Sequence, residues 1–327
     1  MRRAWLAPFV LVACAHAPSP APRAVAQPES AEARITRALV HVDAASFRAD
    51  VERIAGERNA RAEGKLADVV AYVEGELARA GFTTRRQRAG ADVESTVVAE
   101  RLAGPEVVAA SAHLDTVHGS PGADDDASGL ATLLAIARAS REVPTHATIR
   151  LLAFAREEEG MLGSQRYVDS LAKEDRERII ALYNFDMVAY TAPEQRWPDH
   201  ADVLAGLRGR ALPTKGDFLG AVAVAGRERR GMHALLEARA FASGLHLEAL
   251  ELPPLLLKLA PDLARGDHAP FWEAGVPAIV LGDTAEFRNP HYHAPSDTIA
   301  TLDFEFAARV ARLAAAAVLL AADARAP

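Results

Sequence analysis

Cys14 is the only cysteine in a chain of 327 residues, so no internal disulfide can staple the fold. Lysine is nearly absent: four of the 37 basic residues are Lys, and the arginines are scattered along the chain without forming a patch. With a formal net charge of −7, this argues against a nucleic-acid surface. Gly and Pro, at 21 and 19 residues, are too few for a fibre or a low-complexity chain. A hydrophobic fraction of 50% with 25% charged residues fits a globular body. No apolar run is long enough for a membrane span. Ala4 to Ala13 gives ten residues, and the apolar tail after Arg312 is similarly short. No internal repeat is visible.

What is present begins with an address. Arg2 and Arg3 precede the ten apolar residues, the pattern of a secretory signal. Leu11-Val12-Ala13-Cys14 resembles the lipobox of bacterial lipoproteins. The resemblance implies that residues 1–13 are removed, that Cys14 is lipidated, and that the chain is exported and membrane-anchored in the cell envelope. An ordinary signal peptide with an incidental cysteine is the alternative. Residues 14–30 are rich in Ala and Pro without apolar periodicity and read as a tether. The body is then 31–327.

Within the body, Leu66, Val69, Val70, Val73 and Leu77 recur at helical spacing, and Gly81 stops the helix. Strands are expected at Glu106–Ala112, Thr148–Phe154, Ile179–Phe185, Leu219–Ala225 and Pro277–Leu281. Helices are expected at Asp126–Ala139, from about Gly160, around Gly231–Ser243, and at Asp303–Ala322. This alternation implies an α/β three-layer sandwich with a central mixed, largely parallel sheet flanked by helices. The segment from Tyr190 to Arg265 matches no motif, and Pro253, Pro254 and Pro261 interrupt its apolar pattern. Trp197, Phe218 and Leu255 to Leu257 are candidates there for a pocket lining or for packing on the sheet.

Open α/β sheets carry their sites at the carboxyl ends of strands. Polar residues gather there in this chain: His113-Leu114-Asp115 after the first core strand, then Asp124-Asp125-Asp126, Glu157-Glu158-Glu159 after the second, and Asp186 after the third. His291-Tyr292-His293 follows much later. Taken singly, each has a bland explanation: a hydrogen-bonded histidine, a helix N-terminus rich in Asp, or an exposed Glu-rich turn. Together they form a donor set of imidazoles and carboxylates without thiolates, which suits zinc, with Mn or Co as alternatives.

The motifs His113-Leu114-Asp115, Gly122-Ala123-Asp124-Asp125-Asp126-Ala127-Ser128-Gly129, Glu157 to Ser164, Asp186-Met187 and Tyr292-His293-Ala294-Pro295-Ser296-Asp297-Thr298 resemble, in this order, the co-catalytic zinc exopeptidases of metallopeptidase family M twenty-eight. Gly266 to Trp272 also resembles the family, which often has Ser where Gly266 stands. The resemblance covers about residues 65 to 320. It implies two zinc ions, with His113 and Asp186 on one, Glu158 and His293 on the other, and Asp125 bridging. It also implies Glu157 as general acid/base, Asp115 behind His113 to orient the ring, and Tyr292 as an oxyanion-stabilising hydroxyl. Asp267 and His268 would support the site or cap the following helix. Asp297 and Thr298 would shape the His293 loop, His118 is an ordinary loop residue, and His291 has no assigned role.

The expected activity is removal of N-terminal residues from peptides. The same scaffold also carries carboxypeptidases and glutaminyl cyclases. Family M twenty has a similar ligand order but needs extra length for its inserted domain. A non-catalytic envelope-binding lipoprotein is the reading from a different class, although every ligand and Glu157 are present. The oligomeric state is open.

Overall fold

The computed structural model describes residues 29–88, 95–199, 201–226, 229–258 and 261–323. The signal segment, Cys14 and the tether up to residue 28 lie outside the described residues. Three helices open the body: α1 (Ala31–Ala38), α2 (Ala44–Ile54) and α3 (Glu63–Arg79). Then come β1 (Thr83–Arg88), β2 (Ser95–Arg101), β3 (Val107–His113), α4 (Ala127–Ser140), β4 (Thr148–Phe154), α5 (Leu162–Ser170), α6 (Lys173–Arg178) and β5 (Ile179–Phe185). The second half adds α7 (Ala201–Arg208), β6 (Phe218–Val224), α8 (Arg229–Ala238), β7 (His246–Leu252), α9 (Ala269–Glu273), β8 (Ile279–Gly282) and α10 (Phe304–Ala321).

The strands form one sheet in the order β1-β2-β4-β3-β5-β8-β6-β7. The pairs β3/β4, β3/β5, β5/β8 and β6/β7 are parallel. The pairs β1/β2, β2/β4 and β6/β8 are antiparallel. This is the mixed, largely parallel sandwich the sequence implies. Every residue of β3 and β4 is buried, because helices cover both faces and leave no polar side to alternate. On one face, α3 lays down its Leu66, Val69, Val70, Val73 and Leu77 stripe, joined by α4, α8 and α10 in a single core. On the other, Tyr167 of α5 and Phe271 of α9 pack on Phe154 with ring centroids 5.8 and 6.1 Å away.

Three strands escape the sequence pattern, two of them for plain physical reasons. β1, Thr-Thr-Arg-Arg-Gln-Arg, is a charged edge, a composition that discourages edge-to-edge pairing but hides the strand signal. Its partner β2 runs antiparallel between it and β4. β7 is the opposite edge and stops one residue before Pro253, where short 3-10 turns take over at Pro254–Lys258 and Pro261–Ala264. The helix expected at Gly231–Ser243 ends at Ala238 and tightens into a 3-10 turn over Arg239–Phe241. α10 lies against α8, α4 and α2, and among the described residues no helix is long and apolar enough to cross a membrane.

Because β3, β4, β5 and β8 run the same way, their C-terminal ends share one edge. His113 ends β3, Glu157 and Glu158 follow β4, and Asp186 follows β5. The topology therefore brings together ligand-type residues that lie far apart in the chain.

Candidate metal centre and active site

Asp125 sits at the middle of this edge, buried, with its two carboxylate oxygens facing different histidines. Oδ1 is 3.0 Å from His113 Nε2, and Oδ2 is 3.3 Å from His293 Nε2. Asp186 Oδ1 stands 3.9 Å from the same His113 nitrogen. Glu158 Oε2 stands 3.1 Å from the same His293 nitrogen. Two sets of converging donors result, His113/Asp125/Asp186 and Asp125/Glu158/His293, sharing Asp125. A third grouping joins His113 with Glu157 and Glu158.

These spacings pass a simple test. Zinc bonds of 2.0–2.1 Å in tetrahedral geometry put neighbouring ligand atoms about 3.3–3.4 Å apart, and the separations above bracket that figure. His113 Nε2 and Glu158 Oε1 are also buried without a hydrogen-bond partner in the protein, as expected of atoms that reserve their lone pairs for an ion. The donors present fit zinc.

The Asp triplet divides its labour. Asp126 caps α4, accepting the Gly129 N–H at 2.9 Å, and also takes the His113 N–H at 3.0 Å. Asp124 accepts the Ala189 N–H and the Asn289 side-chain amide. Both outer carboxylates are thus spent on tying β3, β5 and the loop before His293 together, which leaves the middle one free. Gly122 makes the turn that delivers them, at φ +59°. A Cβ there would lie 2.3 Å from the Asp125 carbonyl oxygen and 2.8 Å from Arg58 Nη1.

Asp115 lies behind His113, but with a division of roles the sequence does not reveal. Its backbone carbonyl, not its carboxylate, contacts His113 Nδ1 at 3.1 Å; the nearer carboxylate oxygen is 3.9 Å away. Since a carbonyl only accepts, Nδ1 carries the proton and Nε2 is left as the lone-pair donor. The Asp115 carboxylate instead accepts the N–H groups of Glu157 and Glu158, at 3.0 and 3.1 Å. Asp297 does more than shape its own loop: its two oxygens accept the N–H groups of Asp124 and Asp125, at 2.9 and 3.1 Å.

Burial, with Asp267, Asp186 and Glu158 nearby, pushes the Glu157 carboxyl well above the usual carboxylate range, against the pull of His113. Burial tends to lower His293, yet Asp125 and Glu158 outweigh it and lift the imidazole to about 10. Four non-glycine residues at the site hold left-handed backbone: Arg156, Met161, Met187 and His293, at φ 56° to 61°. Such strain gathers where side chains must be aimed.

A family model, described as Peptidase family M28, matches residues 96–318. The chain belongs to that family. It is 30% identical over 217 residues to Aminopeptidase YwaD of Bacillus subtilis (strain 168), which covers 65% of this chain and 41% of the relative. The structure resembles BSAP, a zinc aminopeptidase from Bacillus subtilis, with a TM-score of 0.55 and 26% identity, over 72% of this chain and 52% of that one. It also shares its fold with Porphyromonas gingivalis glutaminyl cyclase, at a TM-score of 0.57 and 17% identity, over 84% and 97%. The chain thus spans about half or less of the two aminopeptidases.

Other family-motif residues have defined places. The Tyr292 ring stacks on His293, with centroids 3.8 Å apart, and burial raises its hydroxyl's pKa. The side chain of His268 does not cap α9. Its Nε2–H donates to the Leu263 carbonyl, its ring packs on Trp272, and burial lowers it to about 4. His118 meets Glu57 at 2.6 Å, and His291 meets the Ser296 hydroxyl.

Sequence reasoning missed Arg58, which is fully buried under the site. Its guanidinium donates to the carbonyls of Leu114, Pro121 and Gly56. Of the apolar candidates, Trp197 and Phe218 stack on each other; Trp197 lines the cavity beside Asp186 and Tyr292, and Phe218 lines a neighbouring one over β6 and β7. Leu255 does neither job and is 75% exposed.

Proposed function

We propose that this chain is a zinc aminopeptidase that removes N-terminal residues from peptides, with Glu157 as general base. The observation that carries the reading is Asp125, whose two oxygens face two separate donor sets. On this reading His113 and Asp186 hold one zinc, Glu158 and His293 the other, and Asp125 both. The bound pair supplies Lewis acidity, lowering the pKa of a water and polarising the scissile carbonyl.

The rest is done by the chain. Asp115 fixes the backbone of Glu157 and Glu158 together, so one carboxylate can grip an ion while its neighbour faces the water. Glu157 takes the proton from that water and passes it to the leaving amine. Its poorly solvated position, among other carboxylates, suits a group that must both accept and release a proton. Tyr292, stacked on His293, offers its hydroxyl to the developing oxyanion. The cavity beside Asp186 and Tyr292 receives the N-terminal side chain. The names of the aminopeptidase relatives support this direction of attack. We place the enzyme outside the cytoplasm, tethered through a lipid on Cys14, on the strength of the lipobox resemblance alone.

The test is incubation of the zinc-loaded protein with a pool of peptides bearing free, blocked and Gln N-termini, read by mass spectrometry. Stepwise loss of N-terminal residues from free peptides alone is expected. Loss of ammonia confined to the Gln peptides would make it a cyclase, and loss from the other end a carboxypeptidase.

A further inference from the structure

The strip that joins α2 to α3 is zipped to the loop that carries the chain from His113 to Asp125. Residues 56–59 run beside residues 116–121. The Gly56 N–H donates to the Pro121 carbonyl at 2.7 Å. The Arg58 N–H donates to the Thr116 hydroxyl at 3.1 Å, and the Thr116 N–H donates back to the Arg58 carbonyl at 3.2 Å. Glu57 accepts the Gly119 N–H, and the Asn59 side-chain amide donates to the Val117 carbonyl. Among the described residues, this strip supplies the hydrogen bonds that 116–121 takes from outside the loop. It lies ahead of residue 65, where the resemblance to the peptidase family begins.

One side chain in the strip joins the two ends of the loop. Arg58 is fully buried. Its guanidinium donates from Nε to the Leu114 carbonyl at 2.8 Å and from Nη1 to the Pro121 carbonyl at 3.0 Å. Leu114 directly follows His113, and Pro121 directly precedes Gly122, where the turn into the Asp triplet begins. Two N–H groups fixed in one plane therefore set how far apart the chain enters and leaves the loop. Gly122 accommodates this contact, since a Cβ there would lie 2.8 Å from Nη1.

The guanidinium also places a cation near the carboxylates of Asp126, Asp125, Asp115 and Asp297. Its hydrogen bonds, however, go to backbone carbonyls and not to these carboxylates. A counter-charge alone needs no such geometry, whereas a brace between two backbone segments does.

We propose that Arg58 is a positioning residue that sets the separation of His113 and Asp125, and so the shape of both metal positions. The proposal rests on the zinc reading given above.

The experiment compares the wild-type chain with Arg58→Lys, Arg58→Met and Thr116→Val. Competition with a chelator reads zinc affinity. The visible absorption of the cobalt-substituted proteins, at saturating metal, reads the ligand geometry. Arg58→Met should weaken zinc binding about 10–100-fold, as other residues that orient ligands do, and should alter the cobalt bands. Lys keeps the charge but not the planar pair of donors, so Arg58→Lys should recover only part of the loss. Thr116→Val removes an acceptor on the loop and leaves the buried cation in place. It should move both readouts in the same direction, and it carries the test if Arg58→Met does not fold.

A lower melting temperature with unaltered zinc affinity and cobalt bands would make Arg58 a purely structural residue and overturn the inference. Full recovery in Arg58→Lys, or tighter zinc binding in Arg58→Met, would leave it only a counter-charge and would overturn the inference too. A wild-type chain that binds neither zinc nor cobalt would overturn the metal-site reading itself.

Discussion

The Asp297 carboxylate accepts the backbone N–H of Asp125 from 172 positions further along the chain, at 3.1 Å. With its other oxygen on Asp124, it grips the Asp triplet as Asp115 grips the Glu157–Glu158 pair. Each clamp uses one carboxylate to fix two successive amides, and each fixes a pair that includes a metal-type ligand. Asp297→Ala strands two buried N–H groups, at about 1–3 kcal/mol each. Zinc affinity is expected to fall about 10–100-fold, as for other residues that hold ligands in place. Competition with a chelator measures it, and unchanged affinity would show that the clamp does not position Asp125.

Glu157→Gln keeps the size of the side chain and the backbone held by Asp115, but removes the carboxylate proposed as the base. Turnover should drop by about 10²–10⁴, with zinc content unaltered. Elemental analysis alongside the rate separates the two effects. A variant that loses zinc would move Glu157 into the ligand set, a role that its grouping with His113 and Glu158 makes worth checking.

Asp125→Ala should empty both positions together, because each donor set loses its shared member. The measurement is zinc per chain after dialysis. Retention of one ion would mean that the two sets are independent.

Metal-free protein should lose stability as pH rises. Burial lifts Asp267 to about 7 and Asp297 to about 6, above the ordinary value near 3.8. A carboxyl that binds its proton more tightly when folded favours the folded state at low pH. That contribution is full below about pH 4 and is lost as pH climbs through 6 to 7. The melting temperature of chelator-treated protein is therefore expected to fall between pH 5 and 8. Zinc should restore most of the loss, since cations offset the crowded carboxylates. A melting temperature that is flat or rises over this range in the metal-free protein would contradict this account.

Much of this was legible in the sequence, and the reasons for the rest are physical. The core strands β3, β4 and β5 are short apolar runs bounded by turns, and sites fall at their ends, so His113, Glu157, Glu158 and Asp186 could be placed. β1 and β7 were not, because edge strands carry charge or meet prolines. The ligand-type residues follow local motifs. The clamps do not: Asp297 reaches a loop 172 residues away, and Asp115 works partly through its backbone carbonyl, which no side-chain identity encodes. Arg58 was invisible because an arginine in a polar stretch reads as surface, whereas here three carbonyls and four nearby carboxylates justify its burial.

Anomalous scattering at the zinc edge, from crystals of the zinc-loaded protein, reads out whether two metal positions share Asp125. Two peaks about 3.5–4 Å apart, one between His113 and Asp186 and one between Glu158 and His293, with Asp125 touching both, are expected. A single peak, or zinc bound away from Asp125, would contradict the account.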